Sequence, residues 1–161
     1  MPGIILGFRG KFAPFSNFHV CRKAFTVNGL TSHISELIYV AEKTLDENVR
    51  MAILAMSPGQ AKKFFSSKGS NTHLIRGNWD EIKYDIMEQI VWEKFRVNTE
   101  LAELLKSTGS AIIVEGNQWH DNDWGCCICP NCVERRNEKG ILASNALGNI
   151  LMRIREKLPN G

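Results

Sequence analysis

The sequence predicts a mainly α fold with a small β element, built as a single compact domain over 1–161. Three observations predict it. Apolar residues recur every three to four positions through most of the chain after Ser35, which is the helical period. Strand signals are confined to the first thirty or so residues and to one apolar run, Ala111-Ile112-Ile113-Val114. A chain of 161 residues can bury one good core and is short for two domains and a linker.

In chain order, Ile4-Ile5-Leu6-Gly7-Phe8 suits a short strand, followed by a loop anchored by Phe12, Phe15 and Phe18. Phe25 and Val27 run into Asn28-Gly29 and out through Leu30, a two-residue hairpin signal. From Ser35 the spacing of Leu37, Ile38, Ala41 and Leu45 predicts a helix, with Ser32 or Ser35 as its cap. Ser57-Pro58 has the order of an N-cap and a first helical residue, and that helix carries Ala61, Phe64 and Phe65 towards a stop near Gly69. Asn78-Trp79-Asp80-Glu81 resembles a capping box, behind which Ile82, Ile86, Met87, Ile90, Val91 and Lys94 share a stripe. If it runs to Phe95, that helix has roughly five turns. Asn98 or Thr99 caps a further helix with Leu101, Leu104 and Leu105, ended by Gly109. A mixed-charge stretch, 134–140, reads as a flexible loop. The last helix shows the seam Leu147, Ile150, Leu151, Ile154 and Leu158.

Charge and composition exclude little. A net charge of +3 permits a polyanionic ligand without requiring one, and 43% hydrophobic residues excludes disorder for the bulk of the chain. No apolar run has the length of a membrane span, and Met1-Pro2-Gly3-Ile4 lacks a secretory n-region, so a cytoplasmic protein with reduced thiols is expected.

Several residues could carry chemistry. Glu36 and Lys43 are seven apart, within about 20° of two full helical turns, so an acid and an amine share a face with Tyr39 and Val40 between them. An ordinary solvated helix face is the competing reading. Lys83 and Lys94 lie near the Met87 and Ile90 stripe, headed by Trp79; an anion site competes there with stems packed at the edge of a core. Arg76-Gly77-Asn78 precedes a helix start, where free N–H groups attract anions. His120, Asp121, Asp123 and Trp124 cluster in a loop after the apolar run, as ligand contacts often do and as plain turn residues also do.

Cys126, Cys127, Cys129 and Cys132 fall within seven residues, and Cys21 stands apart as a small apolar filler. Zinc takes four N or S ligands, which Cys127, Cys129 and Cys132 with Cys126 or His120 could supply; the four cysteines are the expected set. A closed structural site stapling loop 126–132 is expected, since four thiolates leave no position for a catalytic water. Free buried thiols are the alternative.

The order of motifs resembles the NADAR (YbiA-like) family, associated with NAD, ADP-ribose and related N-glycosides. The matching elements are Phe15-Ser16-Asn17-Phe18; Glu36 with Tyr39 and Lys43; Trp79, Lys83 and Met87; Lys94-Phe95 with Asn98; Thr108-Gly109; Glu115; Asp121-x-x-Trp124-Gly125; and Asn145-x-Leu147-Gly148 with Leu151-Met152. Val40 departs from the family's usual Gln, and Ala143-Ser144 from its Gly-x. The resemblance implies a mostly helical fold and hydrolysis of an N-glycosidic bond between ribose and a base-like amine, as in early riboflavin intermediates or in ADP-ribosylated guanine, free or carried on DNA or RNA. It further implies Glu36 and Asp121 as the acids and Lys43 as the nucleophile. Arg9, Arg76 and Lys83 would receive phosphates and Trp79 or Trp124 would stack, with Asn17, Tyr39, Gly125, Asn145 and Gly148 also lining the substrate. No cofactor is expected for catalysis. A non-catalytic ADP-ribose binding module and a metal-stapled nucleic-acid adaptor are the competing readings, and the charge argues against the second.

Overall fold

A computed structural model describes residues 3–66 and 70–160. The elements run β1 (Ile4–Leu6), a 3-10 turn (Gly10–Phe15), β2 (Phe25–Val27), β3 (Leu30–Ser32), α1 (Ser35–Ala41), α2 (Glu47–Leu54) and α3 (Pro58–Phe64). They continue through a second 3-10 turn (Thr72–Leu74), α4 (Trp79–Val97), α5 (Thr99–Ser107), β4 (Ile112–Val114), β5 (Gly116–Asn117), β6 (Cys126–Cys127), α6 (Pro130–Lys139) and α7 (Ala146–Lys157). Helices dominate, and the strands are two or three residues long. Among the described residues no helix is long and apolar enough to cross a membrane. The chain groups into two units, 17–99 and 1–16 with 100–161.

In the 17–99 unit, β2 and β3 pair antiparallel with Val27 opposite Leu30. Asn28 and Gly29 make the turn at φ 51° and 81°, the left-handed pair that a two-residue hairpin demands. Every residue of α1 is buried, so this short helix is held by its surroundings rather than by its length. It packs against α2, α3, α4 and β3. Its start is capped from elsewhere: the Asn17 carbonyl accepts the Glu36 N–H at 3.0 Å. The helix ends at Ala41, short of Leu45, which is 64% exposed. An isolated bridge between Thr44 and Ile75 replaces the expected continuation, because the Lys43 carbonyl is taken by the Arg76 N–H at 2.7 Å.

The sequence reading missed α2. Asp46 caps it, one carboxylate oxygen accepting from the Asn48 and Val49 N–H groups. At α3, Ser57 and Gln60 form a reciprocal capping box. Its expected stop near Gly69 lies outside the described residues; the helix itself closes at Phe64. The box foreseen at Asn78 is absent, because the Asn78 side chain accepts from Arg76 Nε instead of a helix N–H. Met87, Ile90, Val91 and Phe95 of α4 are buried. Asn98 closes that helix and ties it to the loop before β2 by accepting from the Lys23 N–H and donating to the Lys23 and Lys94 carbonyls.

In the other unit, β1 and β4 pair in parallel and α7 packs on β4. Leu147, Ile150, Leu151 and Ile154 are buried, so the seam read from the sequence is the core face of α7. Gly109 sits just past α5 at φ 59°, the left-handed position a helix end favours. The stretch 134–140 is not a loop: α6 occupies most of it, entered through Pro130 at its first turn and closed by Gly140 at φ 61°.

Candidate functional site

Unit 17–99 gathers a carboxylate, three amines and an aromatic wall. Glu36, in the first turn of α1, is 9% exposed, and Tyr39, one turn on, is 7% exposed. Lys43 follows the helix by two residues and carries its Nζ over the Tyr39 ring, 5.2 Å from the centroid. Tyr39 in turn meets Trp79, the first residue of α4, with ring centroids 5.2 Å apart and planes tilted by 56°. Lys83, one turn into α4, stands 3.7 Å from Asp80 and over the Tyr84 ring. Lys62, in the last turn of α3, lies over Phe18.

The electrostatics of this group push both central residues towards neutrality. Burial raises the Glu36 carboxyl above its ordinary value, partly offset by Lys62 and Lys43. Burial also lowers the Lys43 ammonium, and Lys83 and Lys62 lower it further, while Glu36 opposes them. Among the described residues no ion pair joins Glu36 to Lys43. Desolvation therefore outweighs their mutual attraction. Both shifts run towards the forms that proton donation and nucleophilic attack require, a protonated carboxyl and a neutral amine.

Asn17 holds the floor of this group. Its carbonyl caps α1, its side-chain amide donates to the Met87 sulfur at 3.5 Å, and its buried Oδ1 has no protein partner. Lys62 was not foreseen; nothing local marks it, and only the packing of α3 on α1 brings it in. Two expected residues have other surroundings. Arg76 is tied to the group through its N–H on the Lys43 carbonyl, and it lines a cavity of about 400 Å³ with Asn28, Glu42 and Arg50. Lys94 is 1% exposed, and burial brings its ammonium down to about 8 with Cys21 opposing. An amine enclosed that completely has no room for a sugar beside it. Val40, where a polar contact would stand in the resembled pattern, is a core residue.

The other unit uses its motif residues to build a loop. Asp121 Oδ1 accepts the N–H groups of Asp123 and Trp124 at 3.0 and 2.9 Å, while Asn117 Nδ2 donates to its carbonyl. The carbonyls of Asp123, Trp124 and Gly125 accept from Ala146, Leu147 and Asn145, so the first N–H groups of α7 are already used. Asn145, at φ 47°, accepts from the Glu115 N–H and donates to the Ile113 carbonyl, clamping the helix start to β4. A side chain on Gly125 would overlap the Glu115 carbonyl, and one on Gly148 the Ile113 carbonyl. Arg9 is exposed at the start of the first 3-10 turn.

The cysteine loop differs from its expected form in one ligand. His120, Cys127, Cys129 and Cys132 present donor atoms within 4.8 Å of one another, a set that can hold a metal ion. Cys126 is not among them. It is the strand residue before Cys127, and successive strand side chains leave opposite faces.

Residues 8–159 match the NADAR domain family model. The chain belongs to the NADAR family. Among NADAR relatives, N-glycosidase YbiA of Shigella flexneri is 32% identical over 147 residues, 91% of this chain and 82% of the relative. A Nostoc punctiforme N-glycosidase is 34% identical over 90 residues, 56% of this chain and 50% of its own. A riboflavin biosynthesis protein of Vibrio vulnificus is 32% identical over 143 residues, 89% of this chain and 35% of its own. The NMR structure of the Escherichia coli protein YbiA superposes with a TM-score of 0.74 at 29% identity, covering 98% of this chain and 86% of that one. The mainly α architecture expected of a NADAR protein is thus the observed one.

Proposed function

We propose that the protein is an N-glycosidase that cleaves the bond between a ribose anomeric carbon and a base-like nitrogen. Its substrate class is an ADP-ribosylated guanine, free or carried on nucleic acid, or a phosphoribosyl amine such as a riboflavin intermediate. The observation that carries the reading is the Glu36–Lys43 pair, both displaced towards their neutral forms beside the Tyr39–Trp79 wall. The names of the YbiA and Nostoc relatives support the reaction type, and the Vibrio relative supports the second substrate class.

In this reading the Glu36 carboxylic acid gives its proton to the leaving nitrogen as the C–N bond breaks with its electron pair on that nitrogen. Neutral Lys43 Nζ forms a bond to the anomeric carbon and passes a proton to the ring oxygen as the ring C–O bond breaks, leaving the opened sugar as an iminium. Water then adds to that carbon and gives a proton to the Glu36 carboxylate, the Nζ–C bond breaks as the carbonyl forms, and the free sugar phosphate leaves with lysine and acid restored. Lys62 and Lys83 hold phosphate oxygens and keep Lys43 from being the preferred site of charge. Trp79 offers a face for stacking. The chemistry needs no metal; the His120 and cysteine set is read as holding a structural zinc, in a cytoplasmic setting that keeps thiols reduced.

The test is incubation with guanine-ADP-ribosylated DNA and, in parallel, with the riboflavin intermediates, assaying released sugar phosphate. Lys43→Ala is expected to lower turnover about a thousandfold or more, about 4 kcal/mol of barrier, and Glu36→Gln by about 10²–10⁴-fold. Borohydride should trap a sugar adduct on Lys43 in the wild type. Full turnover in Lys43→Ala with no trapped adduct would overturn the reading, and binding without turnover would return it to a binding module. Asp121→Asn preserves the Oδ1 acceptor of the loop and removes the charge; lost turnover would give that carboxylate a part in the chemistry.

A further inference from the structure

We infer that His120, Cys127, Cys129 and Cys132 form a closed zinc site whose work is to fix the 120–125 loop, with Cys126 outside it; this rests on reading the cluster as a metal centre. Zinc binds Cys sulfur at about 2.3 Å and His nitrogen at about 2.0–2.1 Å, so a tetrahedral site places N and S ligands about 3.6 Å apart. His120 Nδ1 lies 3.3 Å from Cys132 Sγ, 3.5 Å from Cys129 Sγ and 3.9 Å from Cys127 Sγ. These separations bracket the tetrahedral value on all three edges that meet at the imidazole. Nδ1 is therefore the ligating nitrogen. Three sulfurs and one nitrogen complete the tetrahedron, leaving no position for a reactive water.

The backbone and the surrounding polar groups are arranged for the same purpose. His120 sits at φ 68°, a left-handed conformation that costs a side-chain-bearing residue free energy and persists only where something over-determines it. Ligation of its ring supplies that constraint. Asn122 supports the sulfur side: its Nδ2 donates to Cys132 Sγ at 3.6 Å, and its Oδ1 accepts from the Cys127 N–H at 3.0 Å and from Arg136 Nη1. An amide donating to a thiolate ligand and orienting its neighbour is typical of groups around a bound metal. The Asn122 carbonyl accepts the Ser144 N–H at 2.8 Å, and the next three carbonyls accept the first N–H groups of α7. Zinc, Asn122 and the start of α7 are thus connected through consecutive residues of one loop, with Asp121 and Trp124 in the middle of it.

The experiment measures metal per chain in protein expressed with zinc, the visible spectrum of the cobalt-substituted protein, and amide exchange over 120–127 with and without chelation. Wild type and Cys126→Ser should each carry one zinc and give the same cobalt spectrum. Cys132→Ser and His120→Asn should lose most of the metal; Asn is chosen because it tolerates the left-handed backbone at 120. Chelation should speed exchange at Asp123, Trp124 and Cys127 by tenfold or more while the α4 amides stay unchanged. A wild type that binds neither zinc nor cobalt would sink the metal reading itself. Metal lost from Cys126→Ser, or an unchanged cobalt spectrum in His120→Asn, would overturn only the ligand set. Equal exchange with and without metal would overturn the loop-fixing role. None of these readouts depends on glycosidase turnover.

Discussion

The Glu36–Lys43 group and the His120–Cys132 loop concentrate reactive side chains by opposite means. In the first, Glu36 sits on α1 and Lys43 in the turn beyond its end, and burial is the largest influence on both: the acid is moved up, the amine down, and among the described residues no ion pair joins them. In the second, burial matters less than saturation. Asn117, Asp121 and Asn145 spend their side chains on backbone groups, and Asn122 divides its own between the Cys127 N–H, Arg136 and the Cys132 sulfur. The group proposed to exchange protons has no ion pair between its acid and its amine among the described residues, while the loop is tied by side-chain hydrogen bonds along its length.

The sharpest way to break the second half of that contrast is Gly125→Ala or Gly148→Ala. Each puts a methyl into a backbone carbonyl, and also against the Asn117 or Asn145 amide that the loop uses, so a loss of about 3 kcal/mol or more is expected by urea unfolding. Conformational freedom is not the issue at either glycine; space is. A loss under about 1 kcal/mol would show that the loop is softer than its hydrogen bonds indicate.

Burial as the tuning force in 17–99 is tested by Lys94→Met. The native ammonium is held at about 8 against an ordinary unfolded value near 10.5, so below about 8 both states are protonated and the buried charge lowers stability. Above it the native state alone has lost its proton, and stability rises with pH by up to about 1.4 kcal/mol per unit until the unfolded chain titrates too. The variant is therefore expected to be more stable than wild type by about 1–3 kcal/mol at pH 7, with the gap closing towards pH 10. Parallel denaturation curves across that range check it.

Turnover against pH sharpens the first half. A protonated Glu36 and a neutral Lys43 give a bell whose limbs both fall inside the ordinary limits of 4.5 and 10.5, because each group is moved inwards. In Glu36→Gln the alkaline fall should vanish. The remaining rise should have its midpoint below the wild-type alkaline limb, since the lysine has lost the one neighbour that raised it. The smallest effect is expected at the hairpin, where Thr26 and Thr31 share an exposed hydroxyl bond of 2.7 Å; Thr26→Ala should cost about 0.2–1 kcal/mol and leave turnover unchanged.

The long periodic elements were legible in the sequence, and α4, α7 and the Asn28-Gly29 hairpin stand where their patterns put them. Two helices were not. The apolar face of α6 amounts to little more than Cys132 and Val133, so its charges read as a loop, although Pro130 and Gly140 mark both its ends. In α2, Met51 faces solvent, which blurs the stripe, and Asp46 was the available cue. At the site, the helix face that Glu36 and Lys43 were expected to share is not what joins them: α1 ends at Ala41, and the turn beyond it, not helix periodicity, carries Lys43 over Tyr39. Lys62 was not legible either, since its approach depends on how one helix packs on another. Choosing between His120 and Cys126 likewise needed the strand that turns Cys126 the other way.

The Tyr39–Trp79 contact has an optical consequence. At 5.2 Å the phenol passes its excitation to the indole, and Lys43 stands over that phenol. The share of the emission that enters through Tyr39 therefore originates beside the candidate nucleophile, and a molecule slipping between the amine and the rings is expected to change that share without a label being attached.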